Sequence, residues 1–232
     1  MAVKLYELVG KDHSRPFSPH CWKARMALAH KGVEFETIPV GFTQIPEIEN
    51  GGQPIVPVIR HGEKIVSDSF QIALYLKETY PDRGPGLFDG QAGVGLTKFV
   101  ENWSQSQLHP WIAKWAMLDI HDMLGEEDQV YFRNKREKQF GVTLEELVAD
   151  RESRIPQLKQ LLMPIRLMLK TQPYIGGNSP LFADYIPFGA LQWLRICSGL
   201  SMIEKEDPVI EWFERMLDLH DGQGRLVSEA DA

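Results

Sequence analysis

The stretch Phe17-Ser18-Pro19-His20-Cys21-Trp22 joins two runs of different period, and its reading decides the fold. Upstream, residues 4–9 (KLYELV) form a strand-like run. Downstream, residues 19–30 carry apolar side chains at helical spacing, with Cys21, Ala24 and Leu28 on one stripe and Gly32 placed to cap the C-terminus. Residues 34–40 are strand-like again, so the opening reads β-α-β. Residues 55–59 and 64–67 are short strand runs on either side of Arg60-His61-Gly62-Glu63, a hairpin-length turn that predicts antiparallel pairing. Residues 68–79 follow as a helix, with Phe70, Ala73, Leu74 and Lys77 at i, i+3, i+4, i+7 and Asp68 or Ser69 as its cap. β-α-β followed by β-β-α describes a small α/β layer.

Residues 80–95 (YPDRGPGLFDGQAGVG) are rich in Pro, Gly and Asp and read as an interdomain connection. Beyond them helical periodicity runs over 96–118, 144–171, 182–200 and 208–220, which predicts an all-α second domain. The expected organisation is an α/β domain over 1–82, a linker over 83–95 and an all-α domain over 96–232.

Composition narrows the function. The 232 residues hold 25 Lys and Arg against 32 Asp and Glu, a net charge of −7, which disfavours a nucleic-acid partner because neutralising phosphates needs a basic surface. No stretch approaches the roughly 18 uncharged apolar residues of a membrane span. MAVKLYELVG lacks the basic start and long apolar segment of a signal peptide, and there are only two cysteines, Cys21 and Cys197. A reducing, cytoplasmic setting without a structural disulfide is expected. His13, His20, His109 and His121 show no metal-ligand spacing, Asp119-x-His121-Asp122 being too weak a pattern, and no metal is expected. Gly51-Gly52 and Gly176-Gly177 lack a following Lys-Ser/Thr, so no nucleotide is expected. Arg133-Asn134-Lys135-Arg136-Glu137-Lys138 reads as a solvated helix face.

Three short segments carry chemistry. In disulfide oxidoreductases a Cys-x-x-Cys stands where a first strand enters its helix; here the pattern is Ser18-Pro19-His20-Cys21. A hydroxyl is a poor nucleophile without a base but a good donor to an anion at a helix N-terminus. Ser18 therefore reads either as a helix cap or as a donor to a thiolate brought by a ligand. Val56-Pro57 reads either as an ordinary edge proline or as a cis bond that turns the Val56 backbone toward an extended ligand. Asp68-Ser69 reads as a cap, or as a pair holding a ligand's ammonium and carboxylate.

Taken together, residues 18–32 (SPHCWKARMALAHKG), 54–76 (PIVPVIRHGEKIVSDSFQIALYL) and 176–185 (GGNSPLFADY) resemble the glutathione transferase superfamily. The resemblance spans the chain and implies a thioredoxin-like N-terminal domain, an all-helical C-terminal domain, glutathione as co-substrate and a homodimer. It implies Ser18 as the activator of the glutathione thiol, Val56 before cis Pro57 as the backbone clamp, and Asp68 with Ser69 at the γ-glutamyl end. Gln44 and Gln53 are both candidates for the glycine carboxylate. In one departure, Leu181 stands where the family has Ser or Thr before Ala183-Asp184, which suggests Ser179 as the cap.

Gly41-Phe42-Thr43, Asn102-Trp103, Pro110-Trp111, residues 119–122 (DIHD) and residues 212–225, ending in DGQGR, resemble the etherase-related branch, the bacterial β-etherases of lignin breakdown and their fungal relatives. Trp103, Trp111 and Trp115 then either pack as core or present an aromatic face, with Phe17 and Pro19, to a hydrophobic substrate. The implied function is glutathione transfer to aromatic electrophiles, aryl ethers included. The competing reading is a ligandin-type carrier of aromatic small molecules with little turnover.

Overall fold

The computed structural model describes residues 2–230. Four strands, β1 (Val3–Leu8), β2 (Phe35–Val40), β3 (Val58–His61) and β4 (Lys64–Ser67), form one mixed sheet in the order β2-β1-β3-β4. β1 runs parallel to β2 from Val3↔Phe35 to Leu8↔Val40 and antiparallel to β3 through Leu5↔Ile59. The parallel pair needs a crossover, and α1 (Pro19–His30) supplies it. The third strand starts three residues later than expected: Pro57 has no N–H for a ladder, so pairing begins at Val58↔Ser67 and the turn shrinks to Gly62-Glu63, with Gly62 at φ 61°. A short 3-10 segment, Ile45–Asn50, precedes the cis peptide Val56-Pro57, and α2 (Ser69–Thr79) closes the unit.

The rest is helical: α3 (Gly90–Trp103), α4 (His109–Met123), α5 (Glu126–Phe140), α6 (Leu144–Val148), α7 (Ile155–Leu161), α8 (Met163–Leu169), α9 (Phe182–Ser198) and α10 (Pro208–Gly222). Several expectations are corrected. The connection is shorter than 83–95, because α3 begins at Gly90; its three glycines weaken the helical signal, and buried Thr97 and Glu101 anchor the helix instead. The run 96–118 is two helices joined by a π-helical turn, Ser104–Leu108, immediately before Pro110. The run 144–171 is broken into α6, a 3-10 turn, α7 and α8, with Pro156 and Pro164 each in the first turn of a new helix. At the start of α9, Asp184 replaces the expected Ser179: its carboxylate accepts the N–H groups of Ile175 (2.7 Å), Gly176 (2.8 Å) and Leu181 (3.0 Å) and Trp212 Nε1–H (3.1 Å).

α1 is covered on both sides, by the sheet and by α9, which buries even Lys23 and Arg25. Arg25 pairs with buried Glu7. Lys23 Nζ lies 3.4 Å from Glu101 on α3, and Lys98 completes the cluster at 2.6 Å. Gly189 on α9 lets the two helices touch: a Cβ there would stand 2.4 Å from the Pro19 carbonyl oxygen. The start of α1 is thus fixed by the second helical layer as well as by its own strand.

Candidate active site

Ser18 caps α1 in extended backbone (φ −60°, ψ 127°), and its Oγ accepts the Cys21 N–H at 3.4 Å. The cap reading is therefore correct, and it leaves the hydroxyl proton uncommitted to any oxygen acceptor among the described residues. The neighbouring Cys21 thiol is fully buried, and burial pushes its pKa up to about 12. It stays a neutral thiol at ordinary pH and cannot serve as a redox nucleophile.

Phe17, Ser18 and Pro19 line a cavity of about 480 Å³ between the sheet unit and the helical region. Val56 lies on its wall beside Pro54 and Ile55, and neither its N–H nor its C=O has a hydrogen-bond partner among the described residues. Asp68 caps α2 at φ 75°, accepting the N–H of Phe70 (2.9 Å) and Gln71 (3.0 Å), and its own N–H donates to the Pro57 carbonyl. Ser69 is buried and its Oγ has no partner. Gln53 Oε1 takes the Ser67 hydroxyl, which brings Gln53 to the same end of the sheet as Val56 and Asp68. Gln44 is exposed and away from the cavity wall, its Oε1 occupied by the Gly41 N–H at 2.8 Å. Pro57, Asp68, Ser69 and Gln53 likewise stand outside the apolar cavity, next to Val56.

The three expected tryptophans do not line it. Trp111 is buried, its Nε1–H donated to the Arg154 carbonyl at 3.0 Å, and it stacks on buried Trp115 at 5.1 Å. Trp103 faces a separate surface groove with Phe99. The π-helical turn changes the phase between them: one extra residue rotates Trp111 and Trp115 by about 100° relative to Trp103 on α3. Among the residues that reach the cavity are His109, Ala113 and Met117 from α4, Tyr131, Phe132, Lys135 and Arg136 from α5, and Trp193 from α9. From the sequence, His20 and His109 are weighed only as metal ligands and none of these residues is named for the substrate site; adjacency to Ser18 and to Pro110 were the local signals for His20 and His109.

His20 and His109 stack across the seam at 5.3 Å. Burial, then the charge of Lys23, takes His109 down to about 4, and burial takes His20 well below its usual value, so both are neutral at pH 7. A second cross-seam clamp is Asp128 of α5, which accepts the Phe42 and Thr43 N–H groups at 2.8 Å each. Gly41 leaves room for this clamp, since a Cβ there would come 2.4 Å from Asp128 Oδ2 and the carboxylate would have to shift. Among the described residues no three His, Cys, Asp or Glu side chains form a cluster able to hold a metal.

The chain that builds this arrangement, a helix N-terminus with a capping hydroxyl, an unpaired backbone at Val56 and an apolar chamber, is matched in sequence by two family models. The glutathione S-transferase N-terminal domain matches residues 13–84 and the glutathione S-transferase C-terminal domain matches residues 95–218. The chain belongs to the glutathione S-transferase family. Among curated proteins, glutathione S-transferase Z1 of Arabidopsis thaliana is 35% identical over 65 residues, 26% of this chain and 29% of that protein. Glutathione S-transferase 1 of Dianthus caryophyllus is 29% identical over 142 residues, 59% of this chain and 63% of that protein. The chain thus spans less than two thirds of the length of either relative. The glutathione S-transferase fold is shared over the whole chain with CsGST63524 of Ceriporiopsis subvermispora, solved in complex with glutathione (TM-score 0.79, 22% identity, 100% of both chains). It is shared too with the beta-etherase LigF of Sphingobium sp. strain SYK-6 (TM-score 0.65, 19% identity, 97% of this chain and 99% of that one). No helix among the described residues is long and apolar enough to cross a membrane.

Proposed function

We propose that this member is a serine-type glutathione transferase acting on hydrophobic aromatic electrophiles. The α/β unit, up to residue 82, holds glutathione, and the helical region that begins with α3 at Gly90 forms the electrophile's chamber. The observation that carries the reading is the Ser18 hydroxyl: it stands at the N-terminus of α1, on the cavity wall, with no oxygen acceptor for its proton among the described residues. Lowering a thiol pKa by one unit requires about 1.4 kcal/mol of preference for the anion, and a charge-assisted hydrogen bond with a helix end supplies roughly twice that. Val56 offers an unpaired N–H and C=O to the cysteinyl backbone. Ser69 Oγ and Asp68 receive the γ-glutamyl end, and Gln53, beside them, is better placed than Gln44 for a further polar contact.

The thiolate attacks the electrophilic carbon of the bound arene. The sulfur–carbon bond forms as the bond to a phenolate or halide breaks, and the leaving group departs as the anion. Aryl ethers belong among the substrates on the strength of the etherase-like segments, one of which, Gly41-Phe42-Thr43, sits against Asp128 on the rim. Exposed Leu96 and Phe99 on α3 are suited to a homodimer contact. A cytoplasmic setting fits the two buried free thiols.

Ser18→Ala tests the reading. Turnover of 1-chloro-2,4-dinitrobenzene should fall about tenfold or more, while the Kd of glutathione changes less than about threefold. Undiminished turnover removes Ser18 from the chemistry. Tight binding of aryl ethers with no turnover by the wild type would make the protein a carrier.

A further inference from the structure

The run Arg133 to Lys138 on α5 is not a uniformly solvated face. Arg133 pairs with Glu137 and Glu145, both at 2.9 Å. Lys135 and Arg136 instead line the cavity, and neither has a carboxylate partner among the described residues. Lys135 Nζ donates to Tyr131 Oη at 2.9 Å and stands 5.1 Å over its ring. Arg136 is half-buried: its guanidinium lies 5.3 Å from the Phe132 ring centroid, one nitrogen donates to Gln139 Oε1 at 2.7 Å, and its Nε–H is buried with no acceptor. Phe132 is 5.3 Å from Phe42, and Phe42 is 6.3 Å from Phe17, the neighbour of Ser18. A line of tilted ring contacts thus connects the thiol-activating end of the chamber to two cations without a carboxylate partner.

A half-buried cation without an anion is costly, and burial here pulls the Arg136 pKa below its ordinary value. In a chain of net charge −7 acids are plentiful, yet none is supplied at this spot. The arrangement is complete only when an anion arrives from outside. Planar guanidinium chemistry, with an exposed ammonium lining the same cavity, selects a carboxylate.

We propose that Arg136, assisted by Lys135, is a carboxylate-recognition subsite of the chamber, so that the ligands it accepts carry an anionic group on the side away from the reacting carbon. The proposal rests on the transferase reading for its location. Two sources share the chemistry: an acidic aromatic electrophile, and the glycine carboxylate of glutathione.

The test compares 4-chloro-3-nitrobenzoate with its methyl ester in the wild type, in Arg136→Gln and in the double variant with Lys135→Gln. A fall of about fivefold or more in the acid-to-ester ratio of kcat/KM places the electrophile's carboxylate on Arg136. A ratio that holds, with a rise of fivefold or more in KM for glutathione but not for its glycine ethyl ester, places the co-substrate's carboxylate there. If neither quantity moves by that much in either variant, the subsite does not exist. Quenching of tryptophan fluorescence by naphthalene-2-carboxylate against its methyl ester reads the same preference without turnover. Wild-type protein that binds the acid selectively but fails to conjugate chloronitroarenes would refute the transferase reading and keep the subsite.

Discussion

The two walls of the cleft are built by opposite means. On the sheet side every candidate contact comes from a place where regular structure begins: Ser18 at the start of α1, Val56 before β3, Asp68 and Ser69 at the start of α2. Such positions present backbone groups and cap side chains whose geometry is dictated within four or five residues. On the helical side the contacts are side chains on the faces of α4, α5 and α9, far apart in sequence and gathered only by packing. A wall made of helix starts suits a ligand that never changes. A wall made of side chains on helix faces can be re-lined residue by residue without disturbing the first.

If that division holds, the most severe damage should come at the seam that both walls share. Glu101→Ala leaves buried Lys23 without its partner and should cost about 3–5 kcal/mol in urea unfolding. A loss under about 1 kcal/mol would mean that the buried pair does not hold α1 to α3. Next in size, Gly189→Ala pushes a methyl against the Pro19 carbonyl, a backbone atom that cannot step aside. Overpacking of this kind should remove about 1–3 kcal/mol and lower turnover by displacing the start of α1, seen by parallel calorimetry and kinetics.

Acid probes the other end of the same helix. His30 is buried, with Nδ1 2.6 Å from Tyr185 Oη, whose other contact is His220 Nε2 at 2.8 Å. Burial, with the neighbouring His220 and Lys31 charges, takes His30 down to about 4. The folded value lies below the unfolded one of about 6.5, so the unfolded chain takes up protons in this window that the fold refuses. Stability present above about pH 6.5 should therefore fall as pH drops toward 4, by roughly 3 kcal/mol from this group, and the slope of Tm against pH should flatten in His30→Gln. The smallest effect sharpens the contrast between core and lining. Trp111→Phe should cost about 1 kcal/mol through its lost bond to Arg154 and leave KM for an aryl electrophile within about twofold, whereas Trp193→Ala should raise that KM several-fold.

Legibility in the sequence followed the same line. The β-α-β-β-β-α order was readable because strands alternate with period 2 and helices with 3.6, and the shift to helix after residue 95 was readable for the same reason. The start of α3 was hidden by its glycines, and α5 by a charged surface whose apolar stripe is thin. Ser18, Val56 and Asp68-Ser69 could be singled out because each sits in a local motif. Trp103, Trp111 and Trp115 were misplaced because periodicity was extended across Ser104–Leu108, where a π-helical turn resets the phase.

By itself the sequence determined the order of elements, the helix starts that form the polar wall and the family to which the chain belongs. Only the tertiary structure decided which side chains face the chamber, that Asp128 and Gly41 meet across the seam, and that Arg136 lies half-buried on the chamber wall while Arg133 is taken up by Glu137 and Glu145. The reason is range: a cap or a turn is an interaction between neighbours in the chain and is written locally. A cavity is the space left over when distant helices pack, and its lining depends on rotations that a single inserted residue changes by about 100°.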